Sequence, residues 1–469
     1  MLFVSKCTFR LRQCKHVINY IYTNYATLSN LSPQDRIQYL RKMARPNARE
    51  NPMIMKLDTP EFTSMFTDEL QTLMALFKEY GYEIRIAGGA VRDLLMGMKP
   101  KDLDFATTAT PTEMKEMFTT ENVRMINMNG EKHGTITPRI NDKENFEITT
   151  LRIDVLTDGR HAEVQFTTDW MLDALRRDLT INSMFLGLDG SVYDYFYGHD
   201  DLKKRRIAFV GDATTRIRED YLRILRYFRF YGRIAIEPNN HEAETLKAIK
   251  ENASGLENIS GERIWMEMKK ILEGKFAGEL MLAIVKCGIA PYIGLPDNPN
   301  TEELERVWKQ SGHNNLNAIT LLSSLLYTQD DAVSLNVRLK LSAFERDLAM
   351  FMVQHRGPKL HPKPLMPYQQ LVVKAKSKPI DTKKMALEVL KYNNSPHIDE
   401  FEKWEIPKFP VSGNMLKEKG VEGGRFMGVV MAELRQVWAD GEFKLGAEEL
   451  LTELPRVMDM LAERKKKKS

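Results

Sequence analysis

Between residues 60 and 80 apolar side chains recur at helical spacing, with Phe66, Leu70, Leu73, Met74 and Phe77 on one face. The texture then changes. Glu83-Ile-Arg-Ile-Ala87 predicts a strand that ends at Gly88-Gly89, with a short helix following through Leu95. Lys101-Asp-Leu-Asp-Phe105 and Phe146-Glu-Ile-Thr-Thr-Leu151 predict two more strands, by alternation and β-branching. Strands and helices alternating to about residue 200 imply a mixed α/β head. From Asp212 onward strand patterns nearly vanish. Tyr221 to Tyr231, Arg263 to Leu272 and Ala318 to Leu326 carry a 3.6-residue apolar period instead. Pro-rich stretches around 357 to 367 and 406 to 410 read as connections within this helical half.

Composition narrows the picture only a little. At 469 residues the chain exceeds what one core usually supports, so about two to four domains are expected. No apolar run approaches the roughly 20 residues that span a bilayer, and no membrane helix is expected. Cys7, Cys14 and Cys287 are too few and too scattered for a disulfide framework or a zinc site. The net charge of +4 hides an asymmetry. Through residue 60, ten Lys and Arg face three Asp and Glu, which leaves about three net negative charges on the rest. Any RNA must therefore be held by local patches rather than by overall charge. The first thirty-four residues contain no acid and carry Lys6, Arg10, Arg12 and Lys15 among hydroxyl, amide and aromatic residues. That pattern predicts a mitochondrial transit peptide over residues 1–34, with Met43, Met53 or Met55 as starts for a shorter form.

Candidate chemistry begins at Gly88-Gly89-Ala-Val-Arg92-Asp93. A strand that turns through two glycines into a helix lets backbone approach a phosphate, and Arg92 could add a charge-assisted contact. Alone, such a turn is usually only a turn. Downstream, Asp102-Leu-Asp104 would put two carboxylates on one face of a strand, an arrangement that a Mg²⁺ ion shared with substrate phosphates relieves. Glu147, on a strand-like segment, is the candidate third acid. It could ligate metal or orient an attacking hydroxyl.

The order of motifs is more specific than any one of them. Gly-Gly-x-Val-Arg-Asp with Asp-x-Asp resembles the head motif of the polymerase β-type nucleotidyltransferases, and within them the CCA-adding tRNA nucleotidyltransferases and bacterial poly(A) polymerases. The likeness continues through Gly134-Thr-Ile, Phe146 to Arg152, Asp158 to Glu163, Arg176-Arg-Asp-Leu-Thr-Ile-Asn182 and Asp194 to Leu202. It runs on through Arg216-Ile-Arg-Glu-Asp-Tyr-Leu-Arg223 and Ser260 to Glu267, with a weaker echo from Val411 to Trp438. The resemblance implies an α+β architecture: a polymerase β-like head over 60–205, a helical nucleotide-selecting neck over 206–275, and a helical tRNA-binding body and tail over 276–469.

Roles follow by the same resemblance. Asp102 and Asp104 match the catalytic metal ligands, with Mg²⁺ as cofactor, and Gly89 and Arg92 match triphosphate-side contacts. Arg177 and Asp178 match a phosphate- and ribose-contacting motif. Glu219, Asp220 and Arg223 match the motif that selects the incoming base, and Arg226 and Arg229 continue its helix as nucleotide contacts. Chemistry agrees. Cytosine and adenine both present an exocyclic amino group beside an acceptor nitrogen, whereas uracil and guanine present the reverse. A carboxylate that only accepts and a guanidinium that only donates, three apart on one helix, would take C or A. The segment Arg152 to Ala162 resembles the family's mobile loop. The implied partners are tRNA, CTP and ATP, without membrane, in a monomer or homodimer. The implied location is mitochondrial, with cytoplasm and nucleus reached through a shorter form. A poly(A) polymerase or a C-only or A-only enzyme of the same fold is the alternative, and a silent RNA-binding protein a more distant one.

Overall fold

The computed structural model describes residues 31–126, 128–157, 162–375 and 378–466. Most of the expected transit segment, the tip of the Arg152 to Ala162 segment and the last three residues lie outside them. The chain divides into two compact units, with the division after Tyr292.

The first unit holds every described strand. Its main sheet runs β1 (Met53–Lys56), β11 (Ser191–Tyr193), β10 (Phe185–Gly187), β2 (Ile84–Ala87), β3 (Asp104–Thr107), β7 (Glu147–Thr150), β5 (Thr135–Ile140), β4 (Arg124–Ile126), with β6 (Glu144–Asn145) paired to β5. β3 and β7 make the one parallel pairing among the described residues, and its register sets Asp104 beside Glu147 and Phe105 beside Ile148. Phe105 and Ile148 are fully buried, and Phe105 meets Phe146 edge-on at 5.7 Å. Burying such side chains contributes about 1.5–3 kcal/mol each, so a one-residue slip that turned them outward would be costly. That register is what holds the two acids together. A separate hairpin pairs β8 (Arg152–Thr157) with β9 (Ala162–Phe166). The segment expected as a mobile loop is thus strand through Thr157.

Three expectations need correction. The helix expected over 60–80 is two, Pro60–Thr63 and Asp68–Glu79, because Thr67 caps the second with its side chain and leaves Phe66 in the break. The strand expected from Lys101 begins at Asp104, so Asp102 stands on the loop before it. Asp220 and Arg223 do not share a helix. The helix Ala213–Glu219 stops at Asp220, whose backbone is extended (φ −152°, ψ 106°), and the next helix starts at Arg223 and runs to Ile234. Asp220 accepts the Leu222 N–H at 3.1 Å, a local side-chain bond that competes with helical continuation.

The helix Arg223–Ile234 has two opposed faces. Ile224, Leu225, Tyr227, Phe228 and Tyr231 are buried, while Arg223, Arg226, Arg229 and Arg233 recur every three or four residues on the other side. The second unit has only helices as regular elements among its described residues. Its C-terminal part packs Leu416, Val430, Leu434, Trp438 and Leu450 into one cluster. Among the described residues no helix is long and apolar enough to cross a membrane.

Candidate active site

A cleft of about 1,020 Å³ in the first unit is lined by Gly88, Gly89, Asp104, Glu147 and the arginine face of Arg223–Ile234. Gly88 has φ +67°, which a Cβ would strain, and that Cβ would also sit 3.1 Å from Arg177 Nη1. The turn therefore lets β2 run into the helix Gly89–Leu95 beside Arg177. Arg92, 3% exposed, donates to Asn182 Oδ1 at 2.5 Å and to Asp93 Oδ1, while Asp93 Oδ2 takes Arg233 at 2.8 Å. Burial pulls the Arg92 guanidinium below its ordinary range, and Asp93 resists that shift.

Asp104 and Glu147, register neighbours on parallel strands, both line this cleft. Asp102 does not. It joins them in an adjoining cavity that all three acids line. A loop and two strands, rather than the one strand expected, bring these acids to that cavity. Desolvation first, then the charges of Glu147 and Asp102, raise the Asp104 carboxyl above the usual carboxylate range, and Arg177 partly offsets them. Like charges crowded in this way are relieved by a cation. Among the described residues no three His, Cys, Asp or Glu side chains form a ready metal cage. The donor set suits a hard ion whose coordination is completed by phosphate oxygens and water.

Arg176, Arg177, Arg226 and Arg229 are held by buried acids, of which the resemblance had named only Asp178. Asp173, 1% exposed, bonds Arg176 at 2.8 Å, Arg177 at 3.0 Å and the Arg152 N–H at 3.2 Å. Asp178 accepts from Arg226 at 2.6 Å and from Asn182. Burial alone would raise both carboxyls, but the neighbouring arginines win and both lie below the ordinary range. Glu267 faces Arg229 at 3.1 Å and Arg226 at 4.0 Å. Asp173 was legible: it lies three and four residues before Arg176 and Arg177, the helical ion-pair spacing. Asn182 and Glu267 sat inside quoted segments with nothing in the spacing to show what they would grip.

Asp173→Asn leaves the Arg176 and Arg177 guanidinium groups facing one another without their shared carboxylate, and we expect it to cost about 3 kcal/mol in urea unfolding at neutral pH. The folded Asp173 carboxyl lies below its unfolded value of about 3.9. Its contribution is therefore complete above that pH and fades as pH falls through the folded value, so the deficit of the variant shrinks in acid. An equal deficit at neutral pH and in acid would refute the clamp.

Asp220 and Arg223 both line the cleft, but neither is spent on the other. Asp220 Oδ2 takes Arg263 at 2.8 Å and Oδ1 the Leu222 N–H. Arg223 donates to Glu219 at 2.5 Å, to the Arg216 carbonyl at 3.0 Å and to the Arg176 carbonyl at 2.8 Å. Three of its five N–H groups are so engaged, leaving two, and Asp220 keeps about two acceptor positions. Over the whole lining, ten Lys and Arg meet only Asp104, Glu147, Asp178 and Asp220. That excess suits a polyanion.

Two family models match the chain. Residues 84–208 match the poly A polymerase head domain, and residues 241–297 match the probable RNA and SrmB-binding site of polymerase A. The mitochondrial CCA tRNA nucleotidyltransferase 1 of Danio rerio is 52% identical over 408 residues, covering 86% of this chain and 94% of that protein. Its Homo sapiens counterpart is 52% identical over 403 residues, covering 85% and 92%. The crystal structure of the Bacillus stearothermophilus CCA-adding enzyme in complex with CTP superposes with a TM-score of 0.65 at 25% identity, over 87% of this chain and 100% of that one. With half its residues shared over nearly the whole length of these relatives, the chain belongs to the CCA tRNA nucleotidyltransferase family.

Proposed function

We propose that this protein adds C, C and A in turn to the 3′ end of tRNA from CTP and ATP, without a nucleic-acid template. The observation that carries the reading is one cleft lined both by the Asp104–Glu147 pair and by a stripe of arginines beside an acceptor–donor couple, Asp220 and Arg223. In each cycle the tRNA 3′ oxygen bonds to the α-phosphorus. The bond from that phosphorus to the bridging oxygen breaks, pyrophosphate leaves, and the hydroxyl proton passes to water.

The chain's own part is placement. Gly89, Arg92, Arg177 and Asp178 form the triphosphate and ribose side of the site, with Arg226 and Arg229 as further nucleotide contacts. Asp220 accepts from the exocyclic amino group of C or A while Arg223 donates to the adjacent ring nitrogen, and Glu219 holds that guanidinium in place. Glu147 orients the attacking hydroxyl. Asp102 and Asp104 would hold Mg²⁺, which supplies charge neutralisation on the phosphates and an easier deprotonation of the hydroxyl. Residues 276–469 grip the body of the tRNA. The basic, acid-free start directs the chain to mitochondria, and a shorter form would serve cytoplasm and nucleus.

The test is incorporation into tRNA that lacks CCA, with CTP alone, ATP alone and both together. CTP alone should add two residues, and both together three and then stop. A long A ladder with ATP alone would replace this reading with a poly(A) polymerase, and RNA binding with no incorporation would leave only a silent binder.

A further inference from the structure

The helix Gly261–Leu272 buries Ile264, Trp265, Met268, Ile271 and Leu272, and one acid, Glu267, is buried along with them at 6% exposed. This helix packs on the arginine helix Arg223–Ile234. Glu267 Oε2 lies 3.1 Å from Arg229 Nε, and Oε1 lies 4.0 Å from Arg226 Nη1. Both arginines line the cleft, and Glu267 itself does not. Whatever this acid does for a substrate, it does through them.

The two arginines depend on it unequally. Arg226 has a second acid, Asp178, at 2.6 Å, whereas Arg229 meets no other acid at ion-pair distance among the described residues. Three guanidinium groups crowd one ring here: Arg92, Arg226 and Arg229 lie 4.9, 5.5 and 4.4 Å from the centre of Phe230. Burial pulls the Arg229 guanidinium below its ordinary range, and Glu267 is the chief charge opposing that. Neither Arg229 Nε nor Glu267 Oε2 makes a directed hydrogen bond among the described residues. Charge, rather than hydrogen-bond geometry, joins the pair. Stability explains such a pair poorly, because apolar side chains of similar volume often serve an interior as well. Holding clustered cations in place along a cleft that must take a triphosphate explains it better.

Resting on the function proposed above, we propose that Glu267 is a positioning residue for the incoming nucleotide, whose carboxylate holds Arg229, and more weakly Arg226, against the cleft. It acts on the affinity for nucleotide and leaves the affinity for tRNA alone.

The experiment compares wild type with Glu267→Gln, which removes the charge and keeps the shape. The KM for CTP, and the Kd for CTP from equilibrium dialysis without tRNA, should rise about tenfold, while the KM for tRNA stays within about twofold. Glu267→Asp keeps the charge on a shorter arm and should raise the two CTP constants only about threefold. In the Arg226→Ala/Arg229→Ala background Glu267→Gln should add no more than about twofold, because the groups it acts through are gone. Unchanged CTP constants, an equal rise for tRNA, or the full rise repeated in the double-alanine background overturns the assignment. Should Glu267→Gln fail to melt cooperatively, Glu267→Asp decides alone, and wild-type CTP constants in that variant overturn it. Wild-type incorporation separates the two levels. Its absence sinks the proposed function, whereas normal wild-type incorporation with unaffected Glu267 variants sinks this role alone.

Discussion

Asp104→Ala is expected to lower nucleotide incorporation by at least about a thousandfold, while tRNA affinity stays within about twofold of wild type. The asymmetry follows from where the charge sits. Asp104 is fixed on β3 opposite Glu147, and burial first, then the charges of Glu147 and Asp102, raise its pKa, so a cation beside these acids would relieve the crowding. Removing it takes away the negative charge that would position metal and triphosphate. It also removes repulsion toward RNA phosphate, so binding has no reason to weaken. Asp102→Ala should act in the same direction, and its size tests how far a loop acid shares the burden of a strand acid. Single-turnover incorporation gives the first quantity and fluorescence anisotropy with labelled tRNA the second. Near-normal turnover of Asp104→Ala would remove this carboxylate from the chemistry. A parallel loss of turnover and tRNA affinity would point to misfolding instead.

Much of this site was legible in the chain, and the reasons it was legible differ by residue. Alternation and β-branching put Glu83–Ala87 and Phe146–Leu151 on strands within a residue or two of their observed ends, because strand pattern is local. The pairing of Asp104 with Glu147 is not local. It needs a parallel crossover of some forty residues, and spacing alone could only name Glu147 as a candidate. The break at Asp220 was missed for a different reason. The apolar period runs on through the segment, but one aspartate bonding the Leu222 N–H outweighs it and ends the helix. Asn182 was harder still. It ties Arg92 and Asp178 into one network, and amide side chains carry no periodicity or charge pairing that would announce such a tie. What sequence pattern reveals well is faces of elements. What it conceals is which polar group on one element will fix a polar group on another.

Asp220→Ala should change what is added more than how much. Arg263 and the Leu222 N–H hold the Asp220 carboxylate still, and in the proposed reading its remaining acceptor positions would meet the base edge. Arg223, clamped by Glu219 and two carbonyls, keeps two donors for the neighbouring ring position. Uracil or guanine would set a carbonyl against the carboxylate and an N–H against the guanidinium, leaving charged groups unpaired in a partly dry cleft. Sites built in this way reject a mismatched analogue by about 10⁴-fold. Truncating Asp220 removes the acceptor half of the test and leaves Arg223, which can donate to a carbonyl oxygen of any base. Discrimination against UTP, taken as the ratio of kcat/KM for CTP and UTP, should therefore fall by about a hundredfold or more, through both slower CTP use and real UTP incorporation. Affinity for tRNA should hardly move, because the group lost is an acid. Unchanged discrimination, with CTP and UTP use reduced in equal proportion, would show that Asp220 braces the break between two helices and that the choice of base is made elsewhere in the cleft.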